Sequence, residues 1–395
     1  MIKIKIDQQG RLIFPELNRD YFDFSSLPEF WLEEKEDAYI LHQCLPNVRK
    51  IYLEPTTGCN LKCRTCMRQV WEDAEAQMSN STFQKFLNCL AELPQLERII
   101  FTGFGEPLAH PGIIDMIAAV RSHGLAVTIG SNGHLLDKKI CQELIKLKVD
   151  RLVISVDGVN PATYAATRGG SLTYLLNNIR VLNETKAQMN SLIPALGIEF
   201  VALRSNVAEL ADLVKLASKL GSARVLITNV LPYTEEMKAE ILYGYEPQEP
   251  LSGGSWPVKA DAWVMWGILD FPRMYWGAER KCRFIKDRAT VVGWDGGVSP
   301  CYALAHNYTY FTVDGRKKQV KRYLLGNINV QPLAEIWMGA EYVHFRSEVR
   351  AFNFPSCPNC DLRETCDFRE RNEGCWGWNP SCADCLWAQD IIRCP

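Results

Sequence analysis

Long apolar runs are missing from this 395-residue chain. The longest, around Ala262 to Leu269, is far too short to cross a bilayer, so no membrane role is expected. Charge of one sign is missing too: 44 Lys and Arg stand against 46 Asp and Glu, and a net charge of -2 gives no general pull toward nucleic acid or an anionic surface. The N-terminus, Met1-Ile2-Lys3-Ile4-Lys5-Ile6-Asp7, alternates like a strand and lacks the apolar run and cleavage site of a secretory signal. A reducing, cytoplasmic setting is therefore expected, where clustered cysteines read as metal ligands rather than disulfides.

Cysteines, by contrast, are plentiful and uneven. Of fifteen, three lie at 59–66 and nine between 282 and 394. The first group sits in Pro55-Thr56-Thr57-Gly58-Cys59-Asn60-Leu61-Lys62-Cys63-Arg64-Thr65-Cys66-Met67, directly after a strand-like run from Lys50 to Leu53. Cysteines separated by three and then two residues can wrap three corners of a cubane iron-sulfur cluster from one loop, leaving the fourth iron open to a substrate's amino and carboxylate groups. The alternatives are a zinc site or three incidental thiols. Structural zinc normally takes paired C-x2-C knuckles, and no second knuckle lies close in sequence.

With 47% apolar and 23% charged residues, the chain reads as a soluble globular protein with a full-sized core, long enough for a barrel plus an appendage. Residues 1–24 read as a β-hairpin flap that turns at Gln9-Gly10, and residues 25–49 as a connector. From Ile51 strands near 51–55, 98–102, 125–130, 151–156, 196–203 and 223–230 alternate with helices near 80–93, 111–123, 137–147, 161–187 and 206–220, which predicts a parallel α/β sheet. In the last helix Val207, Leu210, Ala211, Val214, Ala217 and Leu220 form one apolar stripe, with Asn206 as its cap and Gly221 as its stop. Residues 232–280 break the rhythm with prolines, glycines and an aromatic cluster from Trp263 to Trp276, read as a bridge. The basic run Arg316-Lys317-Lys318, after the Asp314-Gly315 turn, reads as a solvated hairpin face.

The C-x3-C-x2-C loop resembles that of the radical S-adenosylmethionine (radical SAM) superfamily, in which a 4Fe-4S cluster passes one electron to the sulfonium. The resemblance implies a partial (β/α)6 TIM-type barrel over 50–231, with chemistry at the C-terminal strand ends. It implies Cys59, Cys63 and Cys66 as cluster ligands. Thr102-Gly103-Phe104-Gly105-Glu106-Pro107 is similar to the family's GGEP motif, with Phe104 in place of one glycine, and implies SAM contacts from Gly103, Gly105 and Glu106. Ser131-Asn132-Gly133 and Ser155-Val156-Asp157-Gly158 fall where the family lines the SAM pocket, adding Ser131, Asn132, Ser155 and Asp157, and Arg168 matches an arginine placed near SAM. Thr65 stands where the family usually has an aromatic residue against the adenine, so those contacts pass to other residues, Met67 and Leu226 among the candidates.

From residue 281 to 395 the chain resembles the SPASM module, which binds two auxiliary 4Fe-4S clusters: Cys282, Gly296 and Cys301, then Cys357-x2-Cys360-x5-Cys366, Cys375, Cys382-x2-Cys385 and Cys394. Two clusters need eight thiolates and nine are present. Family precedent gives one cluster Cys282, Cys301 and a cysteine near 375, and the other Cys357, Cys360, Cys366 and a late cysteine. A zinc ribbon on Cys357/Cys360 with Cys382/Cys385 is the alternative. The tail from Cys375 to Pro395, with Arg68-Gln69-Val70-Trp71, is similar to that of maturases associated with tungsten-pterin aldehyde oxidoreductases. The resemblance implies a protein, peptide or pterin-cofactor client, such as a tungsten-pterin oxidoreductase, and an electron donor such as ferredoxin or flavodoxin. A ribosomal-peptide maturase forming thioether or carbon-carbon links, or an iron-sulfur electron-transfer scaffold, are the competing expectations.

Overall fold

The computed structural model describes residues 5–6, 8, 12–13, 30–35, 38–71, 74–245, 269–277, 280–374, 377 and 379–394. Two short strands, β1 (Lys5–Ile6) and β2 (Leu12–Ile13), pair antiparallel; the expected Gln9-Gly10 turn between them lies outside the described residues. The stretch 25–49, expected only to connect, carries a second antiparallel hairpin of β3 (Phe30–Lys35) and β4 (Ala38–Gln43). Its charged residues bond one another: Glu33 takes hydrogen bonds from Lys35 and His42, and Trp31 Nε1 donates to Met338 O at 2.7 Å, tying the hairpin to the C-terminal half.

The barrel follows the expected alternation. Strands β5 (Lys50–Leu53), β6 (Arg98–Phe101), β7 (Ala126–Ser131), β8 (Arg151–Ser155), β9 (Ala195–Ala202) and β10 (Arg224–Asn229) lie side by side and parallel. They are separated by α1 (Asn80–Leu90), α2 (Ile113–Ser122), α3 (Lys138–Lys146), α4 (Pro161–Arg168), α5 (Leu172–Gln188) and α6 (Leu210–Lys219). The pleat sorts the strand residues. Ile51, Leu53, Ile99, Phe101, Ile129, Leu152, Ile198 and Ile227 are fully buried among the helices. Their alternate neighbours face the lumen. The sheet is not closed: its order is β11-β10-β9-β8-β7-β6-β5-β12-β13-β16, where β11 is Leu269–Asp270, β12 Ala289–Val292, β13 Gly297–Ser299 and β16 Gly326–Asn327. Six strand-helix units leave a gap that an eight-fold barrel would fill.

Two helix expectations change in detail. The predicted single helix over 161–187 is broken at Gly169, which takes φ +69 and ends α4, while Ser171 caps α5 by accepting from Tyr174 N. In the stripe at 206–220, Asn206 does not cap. Its fully buried amide accepts from Leu203 N at 2.7 Å and donates to Asp157 O at 3.0 Å and Val201 O at 2.9 Å, stitching the ends of β8 and β9 together. Gly221, at φ +70, does stop the helix.

Beyond the barrel, α7 (Arg283–Lys286) leads into β12, which pairs in parallel with β5, so the C-terminal half extends the barrel's own sheet. A hairpin of β14 (Tyr308–Phe311) and β15 (Lys317–Val320) turns at Gly315, and helices α8 (Leu333–Met338) and α9 (Ala340–Ala351) follow. The basic face expected here is not all solvated. Strand alternation turns Lys318 inward, where its ammonium meets Asp384 at 2.5 Å. Of the expected aromatic cluster, Trp263 to Ile268 lie outside the described residues. Replacing Asn206 by leucine strands three buried backbone groups, and chemical denaturation is expected to show a loss on the order of 3 kcal/mol.

Candidate functional site

The cysteine loop leaves β5 and is pinned by its own backbone. Thr57 N and Thr56 Oγ1 both donate to Ala76 O at 2.9 Å, Arg64 N donates to Thr167 O at 2.8 Å, and Cys66 N to Cys63 O at 3.2 Å. Arg64 reaches Glu240 at 2.9 Å and Arg68 pairs with Glu75. Two N–H donors point at one sulfur: Leu61 N lies 3.5 Å and Asn132 Nδ2 3.6 Å from Cys59 Sγ. Burial pushes the Cys63 thiol up to about 11, with Arg168 pulling the other way, and burial also raises Cys66.

The strand-end motifs converge on this loop. A Cβ on Gly105 would stand 2.1 Å from Thr56 O, and one on Gly103, at φ +153, would meet the Glu54 side chain at 2.5 Å, so only glycine lets β6 turn this tightly against the cysteine loop. Glu106 N donates to Gly58 O at 2.8 Å. The Glu106 carboxylate is buried and accepts from Leu108 N (3.1 Å), Ser131 Oγ (2.8 Å) and Asn132 N (2.7 Å), filling three of its roughly four acceptor positions. Burial raises its pKa. It thereby fixes the end of β7 beside Cys59, an office the motif alone does not reveal.

Asp157, fully buried after β8, accepts from Val201 N at 2.9 Å and pairs with Arg168 at 3.0 Å. The helix break at Gly169 is what turns Arg168 inward from the end of α4. Burial works against its charge, but Asp157 and Cys63 hold it firmly protonated, and among the described residues its Nε has no hydrogen-bond partner. Ser155 faces the lumen beside Glu199 of β9. Burial pushes the Glu199 carboxyl up to about 7, Asp157 adds to the rise, and Arg168 and Ser155 oppose it. Of the adenine candidates, Met67 is packed in a core with Leu231, Tyr233 and Ile241, while Leu226 faces the lumen cavity.

None of the described cysteines is disulfide-bonded. Cys282, Cys301, Cys382 and Cys385 stand together: beyond burial, the charges that raise Cys382 come from Cys385, Cys301 and Cys282, and then from Asp384. Cys357, Cys360 and Cys366 line a separate cavity of about 40 Å³ with Ser381, Ala383 and Asp384, so the tail runs between the two sets. Both late C-x2-C cysteines thus join Cys282 and Cys301. Cys394 accepts from Trp387 Nε1 at 3.1 Å, and Cys375 lies outside the described residues.

Sequence reasoning missed a buried pair at the seam of the two halves. Glu54 accepts from Phe104 N at 2.9 Å and meets His306 Nε2 at 2.8 Å, 252 residues away. Phe104, the departure from the glycine motif, packs its ring against Trp71, Tyr302 and His306 at 5.6–6.0 Å. The one available signal was Glu54's place in the inward series Lys50, Tyr52, Glu54.

Comparison with known proteins matches residues 53–242 to the Radical SAM superfamily and 282–361 to the SPASM iron-sulfur cluster-binding domain. The chain is 35% identical over 351 residues, 88% of its length and 97% of the relative's, to a tungsten-containing aldehyde ferredoxin oxidoreductase cofactor-modifying protein of Pyrococcus furiosus. It belongs to the radical SAM superfamily. A PqqA peptide cyclase of Gluconobacter oxydans is 30% identical over 46% of this chain and 49% of its own. Streptococcus suis SuiB bound to S-adenosylmethionine shares the fold at TM-score 0.57 and 17% identity, covering 85% of this chain and 74% of that one.

As a radical SAM enzyme with a SPASM domain, the chain takes 4Fe-4S clusters and S-adenosyl-L-methionine as cofactors. The residues present fit such groups. Burial keeps the proton on a thiol such as Cys63 and metal binding displaces it, the N–H donors aimed at Cys59 favour a charged sulfur, and the Arg168 Nε is a buried donor with no hydrogen-bond partner among the described residues. Among the described residues no three cysteine sulfurs lie within 4.8 Å of one another, whereas one tetrahedral zinc would draw them to about 3.8 Å.

The raised Glu199 carboxyl has a stability consequence. Its pKa is about 7 in the fold against 4.5 in the unfolded chain. The contribution is full below the lower value and is lost as pH rises through the upper one. Thermal melts of wild type and Glu199→Gln across this window are expected to differ in slope, with only the wild type losing stability from this group.

Proposed function

We propose that this chain is a radical SAM maturase that acts in the maturation of a tungsten-dependent oxidoreductase. The observation that carries the reading is the alignment with the Pyrococcus furiosus relative, whose 351 residues reach well beyond the barrel match into the cysteine-rich C-terminal half. The PqqA peptide cyclase aligns over less than half of either chain, which leaves a peptide maturase as the weaker alternative.

In this reading Cys59, Cys63 and Cys66 would hold the first 4Fe-4S cluster, and Gly103, Gly105, Glu106, Ser131, Asn132, Ser155, Asp157 and Arg168 would surround SAM. When bound, the two groups would supply one-electron cleavage of the sulfonium, the chemistry by which a 5′-deoxyadenosyl radical would take hydrogen from a protein, peptide or pterin-cofactor client. The chain's own work is placement and exclusion of water. Gly103 and Gly105 let the β6 loop close on the cysteine loop, Glu106 fixes Ser131 and Asn132, and Asp157 aims Arg168 toward Cys63. Arg168 favours the thiolate, as do the N–H groups of Leu61 and Asn132. The two C-terminal cysteine sets would hold auxiliary clusters, and a cytoplasmic ferredoxin or flavodoxin would deliver the electron. Among the described residues no helix is long and apolar enough to cross a membrane.

Anaerobic reconstitution tests the chemistry. Three clusters require about twelve irons per chain, and with SAM and a reductant the protein is expected to release 5′-deoxyadenosine, which Cys63→Ala abolishes. Bound zinc with SAM left intact overturns the reading. For the client, removing this chain from its host is expected to abolish tungsten oxidoreductase activity, restored by wild type but not by Cys63→Ala. An unaffected oxidoreductase removes the tungsten assignment.

A further inference from the structure

Among the described residues, no side chain fills the lumen between the strands. At the end where the strands begin, opposite the cysteine loop, lies a cavity of about 470 Å³, within the range of small-molecule sites. Four of the six barrel strands open on a cation that lines it: Lys50, Arg98, Arg151 and Arg224. Arg283 and Arg393 join them from the C-terminal half.

Carboxylates answer some of these charges. Lys50 pairs with Asp287 at 2.6 Å, Arg283 with Asp390 at 2.8 Å, Arg224 with Asp270, and Arg393 with both Asp270 and Asp390. Arg98 and Arg151 form no ion pair among the described residues. Arg98 is half-buried and donates to Thr128 Oγ1 at 2.9 Å; its neighbours Glu97 and Asp150 are engaged by Arg49 and Arg121. Burial and then the charge of Arg151 lower the Arg98 pKa, so the two guanidiniums repel one another.

Residues at this end of a barrel usually serve stability, and an unpaired surface cation is ordinarily just solvated. Two like charges converging on a cavity do not stabilise the fold, however, and an anion between them would relieve the repulsion. Guanidinium forks suit phosphate oxygens in particular. Further in, Tyr52, Ile100, Val153 and Leu226, with Phe284 and Trp387, make the walls apolar and aromatic. The lining is therefore divided, cationic at the mouth and apolar toward the middle of the lumen.

We propose that this cavity takes a small phosphate-bearing organic molecule with a flat apolar body, its phosphate held by Arg98 and Arg151. The inference rests on the radical reading of the opposite end of the lumen, for which it names the substrate class. A cavity of this volume, walled by barrel strands and open at one end, suits a small molecule, whereas an extended peptide needs a long groove or sheet edge.

Anaerobic titration calorimetry on the reconstituted full-length protein tests it, with 1-naphthyl phosphate as probe and neutral 1-naphthol as control. The phosphate is expected to bind about tenfold tighter than the naphthol, and Arg151→Gln to remove about tenfold of that affinity. Arg151 is solvent-exposed, so its substitution leaves the fold readable by circular dichroism even where Arg98→Gln does not fold. Equal binding of phosphate and naphthol, an unchanged Arg151→Gln affinity, or displacement of the probe by a pentaglutamate peptide at lower concentration overturns the proposal. SAM cleavage is measured on the same wild-type sample. Cleavage without probe binding overturns the anion site alone; probe binding without cleavage supports the anion site and overturns the radical reading.

Discussion

A buried thiolate needs positive charge beside it, and much of this structure supplies that to the cysteine loop. The source is Arg168, and everything that places it is itself buried: Asp157 grips it at 3.0 Å, the Val201 amide and the Asn206 side chain hold Asp157, and the turn at Gly169 ends α4 so that the guanidinium points inward. Removing one partner of a buried pair costs far more than the pair contributes, which makes Asp157 and Arg168 a unit. From that unit the constraint spreads to the ends of β8 and β9, then through Thr167 to the backbone of the cysteine loop.

The C-terminal half is built into the barrel rather than hung from it. Strand β12 lengthens the sheet beside β5, Glu54 and His306 meet across the seam, and Arg393 N donates to Thr228 Oγ1 at 2.9 Å beside β10. The tail therefore lies along the gap that a six-unit barrel leaves open. One consequence is a lumen walled by both halves, with the cysteine loop at one end and cations at the other.

Much of this was legible in order along the chain. Alternating strands and helices, the C-x3-C-x2-C spacing and the turn residues at each strand end are local signals, and local signals survive in sequence. Partnerships across long separations do not. Nothing near Glu54 announces His306, and nothing in Arg316-Lys317-Lys318 says that only the last of these turns inward to Asp384. Asn206 has the composition of a cap, yet its amide turns back on the Leu203 and Val201 backbone just upstream and reaches Asp157 O, 49 residues away, and only the local bonds are of a kind that sequence suggests. Lys50, Arg98, Arg151 and Arg224 look like unrelated surface charges until strand register shows that each opens a strand on the inward face.

The central claim is that three thiolates from one loop hold an iron-sulfur cluster with one iron left for SAM. Electron-nuclear double resonance on the reduced protein, with SAM labelled by nitrogen-15 at its amino group, addresses this directly in a variant whose C-terminal cysteines are replaced, so that only the first cluster contributes. The account predicts a nitrogen-15 coupling to the cluster that appears on adding SAM. A spectrum unchanged by SAM, or one carrying the coupling of a fourth protein ligand, would contradict it.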